Sequence, residues 1–414
     1  MSGPTPGTLI DVNEARRVLL REVHPGPVVR APLTDALHRT LAEAVQTDMD
    51  APPFDRALMD GYAVRSHDTA TAPVSLSVLG SIPAGVVIER TLGPGEAFQI
   101  NTGAPLPPGA DAVVRVEDTA LEGDRVRIHA SVPPGQFITP RGSYLRAGDI
   151  VAAAGTLLTP GALSAVAAAG AIEVTTYRRP TVAIVSTGDE LAEPGETPRP
   201  GQIRNSNALL LESLARASHV DVVALGRVAD DRSALRERLS EALRHDVVCV
   251  TGGVSMGAYD FVPGVLRDQG VAFHIKKMAI KPGRPTMFGT TDGRALVFAL
   301  PGNPVSAYVG FELLVRPALA LLQGRPCPSS MLVRATLVGK IGAGGARHAF
   351  IPARLSVGAA GEWTAEATRW SGSGDVFGLV GASGLISRPP HSPEVVDGND
   401  VDVIVTQPDT VACR

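Results

Sequence analysis

From Pro180 to Gln323 strand-like and helix-like stretches alternate, and this alternation constrains the fold more than any other feature of the chain. Thr181 to Val185, Val220 to Leu225, Val247 to Val250 and Ala295 to Leu300 are short runs rich in Val, Leu and Ala. Ala208 to Ala217, Ser233 to Leu243 and Val305 to Leu322 carry helical periodicity between or after them. Apolar runs without a polar face suit strands covered on both sides, which requires crossover helices above and below a sheet. The pattern predicts an α/β domain with a mostly parallel sheet. In such sheets ligands gather at the carboxyl ends of the strands, so the loops that follow each strand carry the chemistry.

The remaining sequence has a different texture. Residues 9–46 place Leu9, Val12, Val18, Leu19, Leu33, Ala36, Leu37 and Leu41 at helical spacing and predict helix throughout. From about Thr47 to Ala147, short alternating runs such as Val74 to Val78, Ala112 to Val116 and Arg125 to His129 predict a small β domain. An Ala-rich helical pattern returns over residues 148–178, and β texture follows Gln323-Gly324-Arg325-Pro326 to the end. The apolar stretch from Val151 to Val174 is interrupted by Gly155, Pro160, Gly161 and Gly170. Thr159 as N-cap, Pro160 as first helical residue and Gly170 as stop predict a short buried helix there rather than a membrane span. A length of 414 residues allows two to four domains.

Charge and cysteine content exclude several function classes. With 38 basic against 42 acidic residues the net charge is −4, which excludes a strongly basic nucleic-acid binder. Three widely spaced cysteines give neither a disulfide framework nor a cysteine zinc site. The first residues lack the basic and apolar regions of a secretory leader, so a cytoplasmic location is expected. Only four of the basic residues are lysines, and Lys276, Lys277 and Lys281 fall within six positions. In a chain otherwise committed to Arg, such a cluster marks a place where a compact point charge is wanted.

Four loops stand out. Ser186-Thr187-Gly188-Asp189-Glu190-Leu191 follows a strand, and its paired carboxylates suit a hard cation such as Mg2+; the bland alternative is a solvated acidic turn. Thr251-Gly252-Gly253-Val254-Ser255 continues to Asp260, and its glycines allow backbone N–H groups close approach to an anion. It does not end in the Gly-Lys-Ser/Thr of a Walker A loop. Lys276 to Pro285 (KKMAIKPGRP) is a cationic segment that Pro and Gly keep out of regular helix, suited to an oxyanion or polyphosphate. Pro301-Gly302-Asn303-Pro304-Val305-Ser306 places Asn303 to N-cap a helix whose first residue is Pro304, an anion seat with a hydroxyl nearby. Acidic, glycine-rich, cationic and helix-start loops on one sheet edge describe a phosphate-ester substrate with Mg2+ better than redox chemistry. No nucleophile with an adjacent His occurs among them.

On these motifs the chain resembles the molybdopterin molybdenumtransferase family, which includes bacterial MoeA and the gephyrin E domain. Further shared motifs are Pro52-Pro53-Phe54-Asp55, Met59-Asp60-Gly61-Tyr62-Ala63-Val64 and Asn101-Thr102-Gly103-Ala104-Pro105. The resemblance implies a multidomain α/β plus β architecture: an elongated helical linker and dimerisation domain (1–45 and 148–178), an inserted small β domain (46–147), a molybdopterin-binding α/β domain (179–327) and a C-terminal β-barrel domain (328–414). It implies insertion of molybdenum from molybdate into adenylylated molybdopterin with release of AMP, Mg2+ as cofactor, and a homodimer in which one subunit's inserted domain borders its partner's site. A molybdopterin adenylyltransferase and recipient molybdoenzymes are implied partners; no nucleic acid and no membrane are expected. Lys281, Arg284 and Ser306, with Arg347 and Ser373, would seat molybdate; Lys277 would hold substrate phosphates; Glu190, Asp260 and Asp189 would hold Mg2+. Asp60 and Thr102 match functional positions of the inserted domain.

The chain departs from the family pattern in three places. It reads Gly142-Ser143-Tyr144 where Gly-Glu-Asp is usual, Ala57-Leu58 where Ser-Ala is usual, and Arg284 in place of a common Lys. Tyrosine is not an anionic ligand at neutral pH. Two alternatives stand beside the enzyme. One is a non-catalytic molybdopterin-binding scaffold or carrier, the other an adenylyltransferase, whose usual Thr-Gly-Gly-Thr-Gly is here Thr251-Gly-Gly-Val-Ser255.

Overall fold

The computed structural model describes residues 9–254, 261–292, 295–326 and 332–413. They form two compact units: Ala31–Leu37 with Glu43–Val174, and the remainder of the chain.

The larger unit begins with α1 (Val12–Glu22), whose N-cap Asp11 accepts a 2.8 Å hydrogen bond from Glu14 N. The helix expected over 9–46 is confined to this element. Pro25-Gly26-Pro27 interrupts it because proline supplies no N–H and restricts the residue before it, and Val28–Pro32 is extended.

The smaller unit is built on a six-stranded sheet of β1 (Gly61–Val64), β2 (Val74–Ile82), β3 (Glu96–Ile100), β4 (Ala112–Arg115), β5 (Thr119–Glu122) and β6 (Arg125–Ile128), in the order β4-β1-β3-β2-β6-β5. Side chains alternate between two apolar clusters: Ala63, Ile82, Phe98 and Val113 in one, Tyr62, Val64, Ala97 and Val114 in the other. The period of two thus buries both faces. The helical expectation for 148–178 holds only for α2 (Pro160–Ala168), where Thr159 Oγ1 accepts from Ala162 N at 3.3 Å and Gly170 follows at φ +90°. On either side Ile150–Ala152 and Glu173–Tyr177 are strands, the latter rich in β-branched residues.

The larger unit continues with β7 (Thr181–Thr187), α3 (Ser206–Arg216), β8 (Asp221–Val228), α4 (Arg232–Ala242), β9 (Val247–Thr251), α5 (Val262–Asp268), β10 (Val271–Ile275), β11 (Met287–Thr291), β12 (Leu296–Leu300) and α6 (Pro304–Leu322). The sheet order is β8-β7-β9-β12-β11-β10. Its first four strands are parallel, whereas β11 and β10 join antiparallel, so the sheet is mixed. Successive residues face opposite layers. Val182, Ile184, Val247, Cys249 and Phe298 pack with α1, α3 and α6, while Ala183, Val185, Val248, Val250 and Val297 pack with α4 and α5. Among the described residues α6 alone has the length and hydropathy to cross a membrane, yet 83% of that stretch is buried here, so it serves as a core helix.

The C-terminal part closes a five-stranded barrel. β13 (Leu332–Val338), β14 (His348–Val357), β15 (Trp363–Ala367), β16 (Gly384–Arg388) and β17 (Asp400–Val405) pair in the ring β14-β15-β13-β17-β16-β14. Leu337, Leu355, Ala365, Ile386 and Val403 fill it. Ile280–Lys281 adds in parallel to His348–Ala349, which fastens the cationic segment to the barrel.

Candidate functional site

Strands β7, β9 and β12 lie side by side, and Ser186, Thr251 and Leu300 are in register where they end. The loops beyond them wall a cleft of about 1030 Å³. Thr187, Glu190, Gly252, Gly253, Pro301, Gly302, Asn303 and Pro304 line it, joined by Asn205 and Asn207 from the start of α3 and by Val376 and Phe377 from the barrel.

Close backbone approach shapes this wall. Gly252 has φ +93°, and a Cβ there would fall 2.2 Å from Thr187 O. Only glycine fits a positive φ at that separation. Asn207 Nδ2 donates to Thr251 Oγ1 at 2.9 Å and to Gly302 O at 2.7 Å, tying three loops through one buried carboxamide. Its Oδ1 and the Nδ2 of Asn205 are buried without a protein partner. An orphaned acceptor and an orphaned donor in a cleft wall are recognition groups in waiting, because burying them unpaired is costly.

At the start of α6 the expected side-chain cap does not form. Asn303 occupies the N-cap position, but its Nδ2 donates to Ser373 Oγ at 2.8 Å, and Val305 N donates to Ser373 O at 3.0 Å. The barrel loop therefore takes up both groups at the helix start, and Ser373 is brought to the cleft edge through Asn303. Ser306 is buried beneath this turn, outside the cleft lining.

The cationic segment flanks the cleft through Pro285. Gly283 turns at φ +108°, Thr286 Oγ1 donates to Gly283 O, and Met278 N donates to Arg284 O at 2.9 Å. Lys281 and Arg284 are exposed and make no ion pair among the described residues; Arg347 donates from Nη1 to Ile280 O at 3.1 Å beside them. A Cβ on Gly283 would come within 3.5 Å of Ser306 O. Lys281, Arg284, Ser306 and Arg347 thus gather around one turn, next to the cleft rather than on its lining. Lys277 is half-buried, and its carbonyl accepts from Ile10 N at 3.1 Å.

The acidic turn splits. Glu190 lines the cleft as an exposed carboxylate without a cationic partner among the described residues, whereas Asp189 Oδ1 accepts from Asp230 N at 3.3 Å and is not part of the lining. Thr187 Oγ1 donates to Asp230 Oδ1 at 2.5 Å. Ser255 and Asp260 lie outside the described residues. Among the described residues no three His, Cys, Asp or Glu side chains form a metal-holding group.

In the smaller unit Asp60, just before β1, and Thr102, just after β3, are neighbours because Gly61 pairs with Ile100. Asp60 Oδ1 accepts from Thr102 N at 2.6 Å and from Thr102 Oγ1 at 2.8 Å, and these bonds hold its carboxyl below the ordinary value of 3.8. Tyr144, in place of the family's carboxylate, accepts from Arg56 Nη2 at 3.2 Å while the guanidinium lies 5.6 Å from its ring centroid.

Comparison with known proteins matches nearly the whole chain. Residues 10–170 fit the MoeA N-terminal region (domain I and II), 183–321 the probable molybdopterin binding domain, and 334–406 the MoeA C-terminal region (domain IV). The molybdopterin molybdenumtransferase of Staphylococcus aureus is 32% identical over 97% of this chain and 96% of its own. The chain belongs to the molybdopterin molybdenumtransferase family. That of Staphylococcus epidermidis is 33% identical over the same shares. The molybdopterin biosynthesis MoeA protein from Pyrococcus horikoshii superposes with a TM-score of 0.82 at 32% identity, covering 96% of this chain and 100% of that one. The chain is thus an enzyme of molybdenum cofactor biosynthesis.

The sequence motifs missed Asn205, Asn207, Asp230, Val376 and Phe377. An Asn at a helix start reads as a cap, and Asn205 Oδ1 does accept from Ala208 N at 3.3 Å; only the fold shows that the same residue lines the cleft. Nothing local marks Val376 and Phe377, which belong to a different domain of the sequence.

Proposed function

We propose that this enzyme inserts molybdenum from molybdate into adenylylated molybdopterin and releases AMP, with Mg2+ as cofactor, in the cytoplasm. The observation that carries the reading is the pairing of a cleft whose wall buries Asn205 Nδ2 and Asn207 Oδ1, without partners among the described residues, with an exposed cationic turn beside it. A pterin presents ring N–H donors and a carbonyl acceptor on one edge, which complements an orphaned acceptor and donor. Gly252 and Gly253 let phosphate oxygens approach the backbone, and Lys277 adds charge for them. Molybdate, a tetrahedral dianion, takes the seat formed by Lys281, Arg284 and Arg347, with Ser306 and Ser373 supplying hydroxyls.

Glu190 meets the donor chemistry of Mg2+, a hard cation commonly held by one or two carboxylates together with substrate phosphates. Glu190 and Asp260, with Asp189 further along the turn, are the residues that would hold it; bound there, it would offset charge on the phosphoanhydride. The four-part division of the chain given above is part of the same proposal. So is a homodimer in which Asp60 and Thr102 serve the partner's site, supported by the exposed apolar side chains of Phe54, Leu58 and Met59 near Asp60 in sequence.

The reading is tested by mixing the protein with adenylylated molybdopterin, Mg2+ and molybdate and measuring AMP. Release that depends on molybdate is expected. Binding without release would favour a carrier, the reading to which Tyr144 lends weight. Lys281→Ala should raise the half-saturating molybdate concentration by about tenfold or more, equivalent to about 1.4 kcal/mol. An unchanged molybdate dependence would remove Lys281 from the oxyanion seat.

A further inference from the structure

A second cavity, of about 890 Å³, opens at the opposite, amino-terminal edge of the same sheet. It is bounded by the residues preceding β7 and β9, the end of α4, the end of α6 at Leu322, and the segment His24–Pro27. That segment is fixed rather than loose. Gly26 N donates to Leu322 O and Pro27 O accepts from Arg178 N, both at 2.8 Å, and a Cβ on Gly26 would come 3.0 Å from Leu322 O.

The charges around this cavity do not balance. Its two carboxylates already have partners: Asp246 accepts from Arg178 at 2.7 Å and from Thr181 N and Oγ1, and Glu22 accepts from Arg21 at 2.7 Å. Arg244 and His245 leave the last turn of α4, where Arg244 N donates to Glu241 O and His245 N to Ala242 O. His24 lines the same cavity. Among the described residues the side chains of His24, Arg244 and His245 have no hydrogen-bond or ion-pair partner. The rest of the wall is mixed: beside Arg21, Arg178 and Thr290, a stiff apolar part is made by Pro25, Pro27, Pro180 and Leu296. Small ligands occupy pockets of this size.

We propose that this cavity binds a small organic phosphate, its phosphate held by Arg244, His24 and His245 and its ring body laid on the proline and leucine wall. A phosphate accepts from several donors at once and pairs with a guanidinium in two-point geometry, which suits one Arg and two imidazoles lining the same cavity. The apolar wall adds affinity for a ring that a bare ion lacks. No group of the cleft described above takes part.

The test uses the full chain with its nine histidines labelled at Cε1 and phenyl phosphate as probe, followed by NMR. Resonances of His24 and His245 are assigned with His24→Gln and His245→Gln. Both should shift saturably, with inorganic phosphate weaker than phenyl phosphate by about tenfold or more. Arg244→Ala should weaken phenyl phosphate by about tenfold, and Lys281→Ala, beside the cleft, should leave these shifts unchanged. Absence of saturable shifts up to about 10 mM probe overturns the proposal. So does undiminished affinity in Arg244→Ala, inorganic phosphate binding as tightly as phenyl phosphate, or loss of the shifts in Lys281→Ala.

Discussion

Asn207 donates to Thr251 Oγ1 and Gly302 O from a position 8% exposed, and the bond to Thr251 is buried, so no water replaces it when the carboxamide is removed. Asn207→Ala leaves the buried Thr251 hydroxyl short of a donor, and the unfolding free energy should fall by about 1–3 kcal/mol in a urea melt. The loops it ties are the cleft wall, so AMP release should fall by about tenfold or more beyond any loss of folded protein; wild-type turnover would exclude Asn207 from the site. Asp60 makes a different prediction. Its carboxyl lies below 3.8 because Thr102 donates two hydrogen bonds to it, so its charge is present above that value and is lost only as pH falls through the lowered one. Asp60→Asn should therefore lower turnover by the same factor across roughly pH 5–8. Thr102→Val, which keeps the N–H but deletes the hydroxyl, should move the Asp60 carboxyl carbon titration upward by NMR; an unmoved titration would show that the hydroxyl bond does not hold it down. Both Asp60 and Thr102 were legible as motif positions. Asn207 was not, since its partners are 44 and 95 residues distant and meet it only through sheet order.

Gly61 shows why the Met-Asp-Gly-Tyr run needs its glycine. It sits on β1, which lies between β4 and β3, and a Cβ there would stand 1.9 Å from Val114 O. The constraint is space rather than backbone conformation. Gly61→Ala should part β1 from β4 and destabilise the smaller unit by more than about 3 kcal/mol. Both tryptophans, Trp363 and Trp370, lie in the larger unit. Hydrogen exchange over residues 61–128 should accelerate while tryptophan fluorescence still reports a folded barrel, and unchanged protection there would refute the steric argument. Strands and helices of strong period were readable: β7, β9, β12, α3, α4 and α6 lie where Val-rich runs and helical spacing place them. The errors share a cause. Apolar spacing ran through Pro25-Gly26-Pro27 as if the chain were continuous, and β10 and β11 escaped because the lysine cluster between them masks two five-residue strands. The mostly parallel sheet expected from the alternation is observed, and these two unseen strands are its antiparallel part.

The proposed site residues are divided between the two units: every described residue lining the cleft belongs to the larger, and the Asp60–Thr102 pair belongs to the smaller. In the proposed homodimer each cleft draws its Asp60 from the other subunit, and this arrangement has a consequence that neither single variant reveals. Lys281→Ala damages the cleft side, and Asp60→Asn damages the complementing side; each homodimer carries two defective sites. When the two proteins are mixed and allowed to exchange subunits, the mixed dimer contains one site with Lys281 from one chain and Asp60 from the other, and one site lacking both. Closed two-fold symmetry fixes the statistics. With half of the dimers mixed and one of their two sites intact, AMP release should recover to about a quarter of the wild-type rate. If Asp60 instead served the cleft of its own chain, every site in the mixture would keep one defect. Activity would then stay at the average of the two variants, however long exchange proceeds.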